Sequence, residues 1–275
     1  MLLSIFVDPP RIAFTMPVID LPIYWYSILF AAGFFLSYFI VKFFSDRYFL
    51  SYRHFFKLSH PQKFADSLVW YVFLGTLIGA RLGHVLFYDF DYYWQNPLEI
   101  IMVRKGGLAS HGAALGIIVA IYLFWLRHIK GTLEISFLKL IDWLSIGATL
   151  TGSFIRLGNF FNQEILGTPT NMPWGTIFGH PAESAQMPCH PVQLYESIYY
   201  FFAFLILFFI TYRFEKRLKD GFVTGLFFIL VFGFRFLIEF LKVPQEAMQL
   251  PILNMGQLLS LPCIVFGIYL VIKKK

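Results

Sequence analysis

Long apolar runs separated by short charged stretches dominate this chain. Residues 21–41 carry no charge, residues 106–126 contain His111 as their one ionisable side chain, and residues 254–272 are again uncharged. A membrane-spanning helix needs about 20 mostly apolar residues. The pattern therefore predicts a transmembrane helix at each of these three places.

Four further apolar runs carry charges near one end. They cover residues 66–88, 137–158, 191–212 and 221–241. Together the runs predict an all-α integral membrane protein with seven transmembrane helices, in a single polytopic membrane domain over residues 1–275. The longest connection, 159–190, is rich in Gly, Pro and Asn and contains no Lys or Arg. Long connections of this kind often carry function.

The composition agrees with this interpretation. Hydrophobic residues make up 58% of the chain and charged residues 14%, whereas soluble domains have roughly 25% charged residues. The two cysteines in 275 residues provide no disulfide framework. The sequence thus excludes a soluble, disordered or disulfide-stapled protein.

The distribution of Lys and Arg predicts the orientation. Fifteen of the 22 basic residues fall in the connections 42–65, 127–139 and 213–220 and in the tail 273–275. Four lie on the opposite side: Arg11, Arg104, Lys105 and Lys242. Basic loops stay in the cytoplasm, so the N-terminus is expected outside and the C-terminus in the cytoplasm. Basic loops against anionic lipid also explain the net charge of +6 without a nucleic-acid partner.

This topology places the polar side chains of six spans at one depth, in the outer leaflet. They are Tyr26, Arg81, His111, Arg156, Asn159, His190, Arg235 and Glu239. Ionisable groups inside a membrane are costly, so each is a functional candidate. Arginine suits bidentate phosphate contact, and phosphates at this depth belong to lipid headgroups. We therefore expect a phospholipid site, with His111 as its titratable group.

Structural explanations compete at several of these positions. Arg81 could belong to a helix-packing ion pair. Glu239 follows Arg235 at i,i+4 and could be its ion-pair partner. His190 could cap the fifth span. Cys189 lacks an orienting third group for a thiol nucleophile, and no metal-ligand spacing is present.

Five blocks of sequence resemble the bacterial prolipoprotein diacylglyceryl transferases. They occur in the family's order and extend, with Tyr24-Trp-Tyr26, over most of the chain. The blocks are Ser110-His-Gly-Ala-Ala-Leu-Gly116, Arg156-Leu-Gly-Asn-Phe-Phe-Asn-Gln-Glu164, His190-Pro-Val-Gln-Leu-Tyr-Glu196, Arg235-Phe-Leu-Ile-Glu-Phe-Leu-Lys242 and Asn254-Met-Gly-Gln257.

The resemblance implies a multi-pass enzyme of the bacterial cytoplasmic (inner) membrane, with its active site towards the outer leaflet. Such an enzyme moves the sn-1,2-diacylglyceryl group of phosphatidylglycerol to the lipobox cysteine of a prolipoprotein signal peptide. It forms a thioether and releases glycerol phosphate, the first step of lipoprotein maturation, and it needs no cofactor or metal.

The resemblance also implies the site residues. The catalytic residues are His111, Arg156 and Arg235. We expect phosphatidylglycerol to be bound by Arg156, Tyr26, Asn159, Glu164 and Gly167. Arg81 and Glu239 are further candidates, because they lie at the same depth in the outer leaflet. Whether His111 takes the thiol proton or only orients lipid is open.

Four positions depart from the family's pattern. Ala113 and Ile155 replace glycines, Val231 replaces a tyrosine, and Lys242 replaces an arginine. Lys242 keeps the charge but loses the bidentate fork.

Two other classes of function compete with the transferase. A lipid transporter could have the same outer polar pocket, although transporters place their substrate near the midplane and show repeats. A membrane scaffold would give no reason for a histidine and two arginines at one depth.

Overall fold

The computed structural model describes residues 4–17, 20–51, 62–102, 106–130, 135–181, 187–243 and 253–273. Seven long helices occupy the seven predicted places. They are α1 Trp25–Ser51, α2 Gln62–Phe87, α4 Ser110–His128, α5 Phe137–Asn162, α6 Val192–Phe214, α7 Phe222–Ile238 and α8 Met255–Ile272. A short helix, α3 Phe90–Gln95, precedes a 3-10 turn at Pro97–Ile101, and a second 3-10 turn, Glu239–Leu241, follows α7.

Six helices in the described part of the chain are long and apolar enough to cross a membrane: α1, α2, α4, α6, α7 and α8. The seventh, α5, carries Lys139, Asp142 and Arg156, so its composition is less apolar. The mostly helical membrane fold is therefore supported, while the seventh span and the orientation stay predictions. Part of the charge pattern behind that orientation lies outside the described residues: Arg53, Lys57, Arg104, Lys105, Lys274 and Lys275.

Four short strands were absent from the all-α prediction. They are β1 Ile5–Val7, β2 Ile12–Met16, β3 Leu21–Tyr24 and β4 Thr176–Phe178. Strands β2 and β3 form an antiparallel pair, and β1 pairs in parallel with β4. The first predicted span began at residue 21, so its start was wrong by four residues. Hydropathy alone does not separate an apolar strand from the first turn of an apolar helix.

The contacts divide the chain into two compact units, residues 1–41 with 142–275 and residues 42–141. The prediction of one polytopic domain stays a prediction.

In the unit 42–141, α2 and α4 pack through a glycine seam, formed by Gly75, Gly79 and Gly83 of α2 with Gly112 and Gly116 of α4. A Cβ at Gly83 would lie 2.6 Å from the Gly112 Cα, and a Cβ at Gly79 would overlap the Gly112 carbonyl oxygen. Small residues allow such close approach of membrane helices.

In the larger unit, the polar side chains of α5 meet protein. Thr151 Oγ1 lies 2.7 Å from Ser37 Oγ of α1, and Ser153 Oγ donates to the Ser197 carbonyl of α6 over 2.7 Å. Trp143 and Ile146 are fully buried. Because α5 is enclosed by other helices, it does not need the apolar surface that lipid demands.

Asp142 is a structural residue of this unit. Its carboxylate accepts the Gly221 N–H at 2.8 Å and the Thr224 N–H at 2.7 Å, together with the Thr224 hydroxyl at 2.6 Å. The first N–H groups of a helix lack internal partners, and an anion there also complements the helix dipole. Asp142 of α5 therefore caps α7.

Candidate functional site

The C-terminal end of α5 holds Arg156 and Asn159 three residues apart, so both side chains fall on one helix face. Arg156 Nη1 donates to Asn159 Oδ1 over 3.3 Å, and Asn159 Nδ2 donates to Glu164 Oε1 over 2.6 Å. Gln163 and Ile165, on either side of Glu164, have φ of 54° and 58°. Non-glycine residues seldom adopt this conformation. The strained turn brings Glu164 back to the helix end.

Glu196, in the second turn of α6, is completely buried between two cations. Its Oε2 lies 3.3 Å from Arg156 Nε, and its Oε1 lies 3.0 Å from Lys242 Nζ. The hydroxyl of Tyr200, one turn further along α6, donates to the same Oε1 over 3.3 Å. One carboxylate thus joins the ends of α5, α6 and α7.

Lys242 also pairs with Glu239, whose Oε2 lies 3.3 Å from its Nζ. The interpretation of Glu239 as the partner of Arg235 was therefore wrong. The reason is the end of α7, since Lys242 follows the 3-10 turn in an extended conformation and directs its ammonium back to both carboxylates. We name the series Arg156, Glu196, Lys242 and Glu239 the charge chain; its charges alternate and sum to zero.

Arg235 lies on α7 and is half-buried. Among the described residues it has no carboxylate within ion-pair distance. A guanidinium in a partly buried position needs an anion or water. The described carboxylates therefore leave the positive charge of Arg235 uncompensated.

Tyr26 and Gly158 are in close contact. Tyr26 is the second residue of α1, and a Cβ at Gly158 would lie 2.8 Å from the Tyr26 ring. The glycine between Arg156 and Asn159 in the sequence therefore lets the Tyr26 ring approach the backbone of α5.

Gly167 lies where three backbone segments meet. It forms a β-bridge with Lys242, and a Cβ there would overlap the His190 carbonyl oxygen. The neighbouring Thr168 N–H donates to the Leu241 carbonyl over 2.8 Å, and the His190 N–H donates to the Thr168 carbonyl over 3.0 Å. The structure thus gives Gly167 a packing role, and its contact with lipid stays a prediction.

His190 does not cap α6 with its side chain. The N-cap residue of α6 is Pro191, which has no side-chain cap, and the His190 ring faces the Tyr195 hydroxyl at 3.3 Å. The capping interpretation was wrong because the proline inserts one residue between His190 and the first turn.

In the unit 42–141, Arg81 is held by backbone carbonyls. Nε donates to Ile100 at 2.7 Å, Nη1 to Gly106 at 2.6 Å and Gly107 at 3.0 Å, and Nη2 to Glu99 at 2.6 Å. Its guanidinium also lies 4.8 Å from the centre of the Tyr93 ring. Four carbonyls occupy most of the five N–H donors, which favours a structural role.

His111 is the second residue of α4 and its side chain is exposed. The backbone just before it is fixed, since the Ala109 N–H donates to the Ala80 carbonyl of α2 over 2.9 Å. The next residue, Gly112, belongs to the glycine seam. The packing of α2 against α4 therefore determines where His111 emerges.

The structure places Tyr26, Arg156, Asn159, Glu164 and Gly167 in the larger unit, which also contains the charge chain. Sequence reasoning left Glu196 and Lys242 out of the site, although it noted both as charges. A carboxylate inside a predicted span needs a cationic partner. The need of Glu196 for a cationic partner was the signal that could have identified Glu196 and Lys242.

Comparisons with known proteins agree with the resemblance. The family model described as prolipoprotein diacylglyceryl transferase matches residues 11–273. A phosphatidylglycerol–prolipoprotein diacylglyceryl transferase of Tolumonas auensis is 41% identical over 251 residues, covering 91% of this chain and 90% of the relative.

A relative of the same name from Porphyromonas gingivalis is 39% identical over 265 residues, which is 92% of this chain and 89% of the relative. A third, from Protochlamydia amoebophila, is 49% identical over 213 residues. The matched region is 77% of this chain but only 57% of that longer relative.

Proposed function

Because the chain belongs to the prolipoprotein diacylglyceryl transferase family, it transfers a diacylglyceryl group from phosphatidylglycerol to prolipoprotein, and we propose here how its own residues perform the transfer. The acceptor is the lipobox cysteine of the signal peptide. Its sulfur attacks the glycerol carbon that bears the phosphate. The C–S bond forms as the C–O bond breaks, and the electron pair of the C–O bond leaves with glycerol phosphate.

Arg235 carries this proposal, because it lacks a described carboxylate partner while the charge chain is neutral. A lipid phosphate supplies the missing anion. As the C–O bond breaks, the phosphate gains negative charge. Arg235, together with Arg156, therefore stabilises the transition state more than the bound lipid, which is what accelerates a reaction.

In this proposal His111 accepts the proton of the cysteine thiol. A thiol has a pKa near 8.5 and is a weak nucleophile until it is deprotonated. An exposed imidazole at the start of α4 can accept this proton as a general base.

Three of the remaining predicted residues bind the headgroup in this proposal. Asn159 and Glu164, which hydrogen-bond each other, offer amide and carboxylate groups to the glycerol hydroxyls, and Tyr26 lies beside them through Gly158. Gly167 and Glu239 hold the surrounding backbone and the charge chain. Direct lipid contact by Arg81 stays a prediction, and its carbonyl contacts support a role in shaping the segment before His111.

The membrane arrangement is part of the proposal. The chain forms one polytopic domain with seven spans in the bacterial inner membrane, the N-terminus outside and the active site towards the outer leaflet. The charge distribution of the loops supports this orientation.

The test is an assay with purified protein, phosphatidylglycerol labelled in an acyl chain, and a lipobox peptide. We expect label on the peptide cysteine through a thioether. Arg235→Ala should lower the rate at least about 100-fold, as for other losses of a transition-state donor. His111→Ala should keep residual activity that rises at high pH, where the thiol ionises without a base.

Arg213→Ala is the matched control, since Arg213 lies at the far end of α6 and should leave the rate unchanged. A folded wild-type protein that labels no peptide with any phospholipid would overturn the proposed function. Full activity in Arg235→Ala would overturn the part assigned to that residue.

A further inference from the structure

Glu196 has no assigned part in the transfer, yet it is the most constrained charge of the site. Its side chain is 0% exposed and its carboxylate faces Arg156 with one oxygen and Lys242 with the other. A buried carboxylate is costly unless its partners are well placed. Apolar packing at this position would avoid that cost, so the retained charge calls for an explanation.

The geometry at Arg156 explains why this charge is retained. Nε faces Glu196 at 3.3 Å and Nη1 donates to Asn159 at 3.3 Å. The ion pair at Nε and the hydrogen bond at Nη1 together restrict the plane of the guanidinium. Its remaining donors are on Nη1 and Nη2, and a bidentate phosphate contact needs such neighbouring donors in a set direction.

The carboxylate is itself fixed from the other side. Glu196 Oε1 receives the ammonium of Lys242 at 3.0 Å and the hydroxyl of Tyr200 at 3.3 Å. Lys242 is anchored in turn by its bridge to Gly167 and its ion pair with Glu239. The orientation of Arg156 is therefore connected to the end of α7 through Glu196.

We propose that Glu196 is a positioning residue, which sets the plane in which Arg156 presents its Nη donors to the lipid phosphate. It acts through Arg156 and does not touch the lipid. The proposal rests on the proposed function of Arg156 as a phosphate ligand.

The first consequence concerns affinity. Glu196→Gln keeps the shape but removes the charge that holds Nε. We expect the affinity for phosphatidylglycerol to fall about 10- to 100-fold, the range for losing a charge-assisted partner. The KM for the lipobox peptide should stay unchanged, because Arg156 contacts the lipid phosphate and not the acceptor.

A double-mutant cycle separates positioning from general stabilisation. The Kd for phosphatidylglycerol is measured in detergent for the wild type, Glu196→Gln, Arg156→Lys and the double variant. Lysine has no planar fork to orient, so Glu196→Gln should weaken binding less than about 3-fold in the Arg156→Lys background. A loss of equal size in both backgrounds would show independent effects and overturn the proposal.

Glu215→Gln is the matched control. Glu215 follows the last residue of the same helix, α6, and faces Trp143 Nε1 at 3.3 Å, so it tests the same chemical change at the other end. We expect wild-type affinity and activity.

Tyr200→Phe keeps the proposal testable if Glu196→Gln does not fold. It removes the hydroxyl that donates to Oε1 and should weaken lipid binding about 3- to 10-fold, as for one neutral hydrogen bond. This loss should again disappear in the Arg156→Lys background, and its persistence there would overturn the proposal.

A failure of the positioning role and a failure of the proposed function give different results. If the wild type and Glu215→Gln modify the peptide while Glu196→Gln binds lipid normally, only the positioning role is wrong. If the folded wild type modifies no peptide, the proposed function fails first.

Discussion

The charge chain and the glycine seam stabilise close helix contacts by opposite means. The charge chain joins α5, α6 and the end of α7 through buried and half-buried ions at 3.0–3.3 Å. The seam joins α2 and α4 without any side chain between the backbones, and an apolar groove of about 460 Å³ runs along it.

The difference lies in what each contact can transmit. A seam of glycines fixes the distance between two helices but offers no donor to a ligand. A chain of alternating charges fixes side-chain directions as well, and a change at one ion alters the electrostatics of the next. We conclude that the charge chain, and not the seam, can set the direction in which a side chain faces a ligand.

The largest effect on stability should come from the seam. Gly79→Ala places a Cβ against the backbone of Gly112 and Gly116, and backbone atoms cannot rotate away. We expect a loss of about 3 kcal/mol in the free energy of unfolding, the upper end of the usual overpacking cost, measured by denaturation in detergent.

Gly233→Ala is the control for this change. Gly233 lies inside α7, and a Cβ there would meet no atom within 4 Å. The same substitution should stabilise the protein by about 0.5–1 kcal/mol through helix propensity alone. Equal effects at both glycines would contradict the close backbone contact between α2 and α4 at the seam.

A smaller effect is expected at the buried cap of α7. Asp142→Asn replaces one acceptor oxygen by a donor that faces the N–H of Gly221 or Thr224. We expect a loss of about 2 kcal/mol, the cost of an unsatisfied buried group, in the same denaturation measurement. Asp91→Asn, in the exposed first turn of α3, should cost far less, and a comparable loss there would count against the cap.

The smallest effect should be a pH dependence at the N-terminal strand. Hydrogen bonds from His180 and Gln163 lower the pKa of Asp8 below its ordinary value of 3.8. A lowered carboxyl pKa stabilises the folded state above the unfolded pKa, and this stability is lost as the pH falls through the folded pKa.

The measurement is the thermal unfolding midpoint of wild type and Asp8→Asn from pH 7 down to pH 3. We expect the wild type to unfold at the higher temperature near neutral pH, with a difference that shrinks below pH 4. A difference that grows on acidification would contradict the assignment.

Hydropathy located the helices, but not all of their limits. Helix α1 continues past the uncharged run to Ser51, and Lys42 and Asp46 form an i,i+4 pair at 3.8 Å on the surface of this extension. Ending a span at its first charge therefore shortened it. Strand β3 shows the opposite error, because apolar residues that pair with β2 look like helix in a hydropathy pattern.

The sequence identified the charged residues of the site but not their partners. Glu239 had Arg235 four residues before it and Lys242 three residues after it, and both were within reach on a continuous helix. The end of α7 at Ile238 decided in favour of Lys242. The contact between Glu196 and Arg156 joins two helices, and periodicity within one helix carries no information about it.

The central claim is that Arg235 meets the phosphate of the lipid. The direct test compares the binding of phosphatidylglycerol and of diacylglycerol, which lacks the phosphate, to the wild type and Arg235→Gln in detergent. We predict that Arg235→Gln weakens phosphatidylglycerol binding about 10- to 100-fold and leaves diacylglycerol binding unchanged. Equal losses for both lipids, or no loss for phosphatidylglycerol, would contradict the claim.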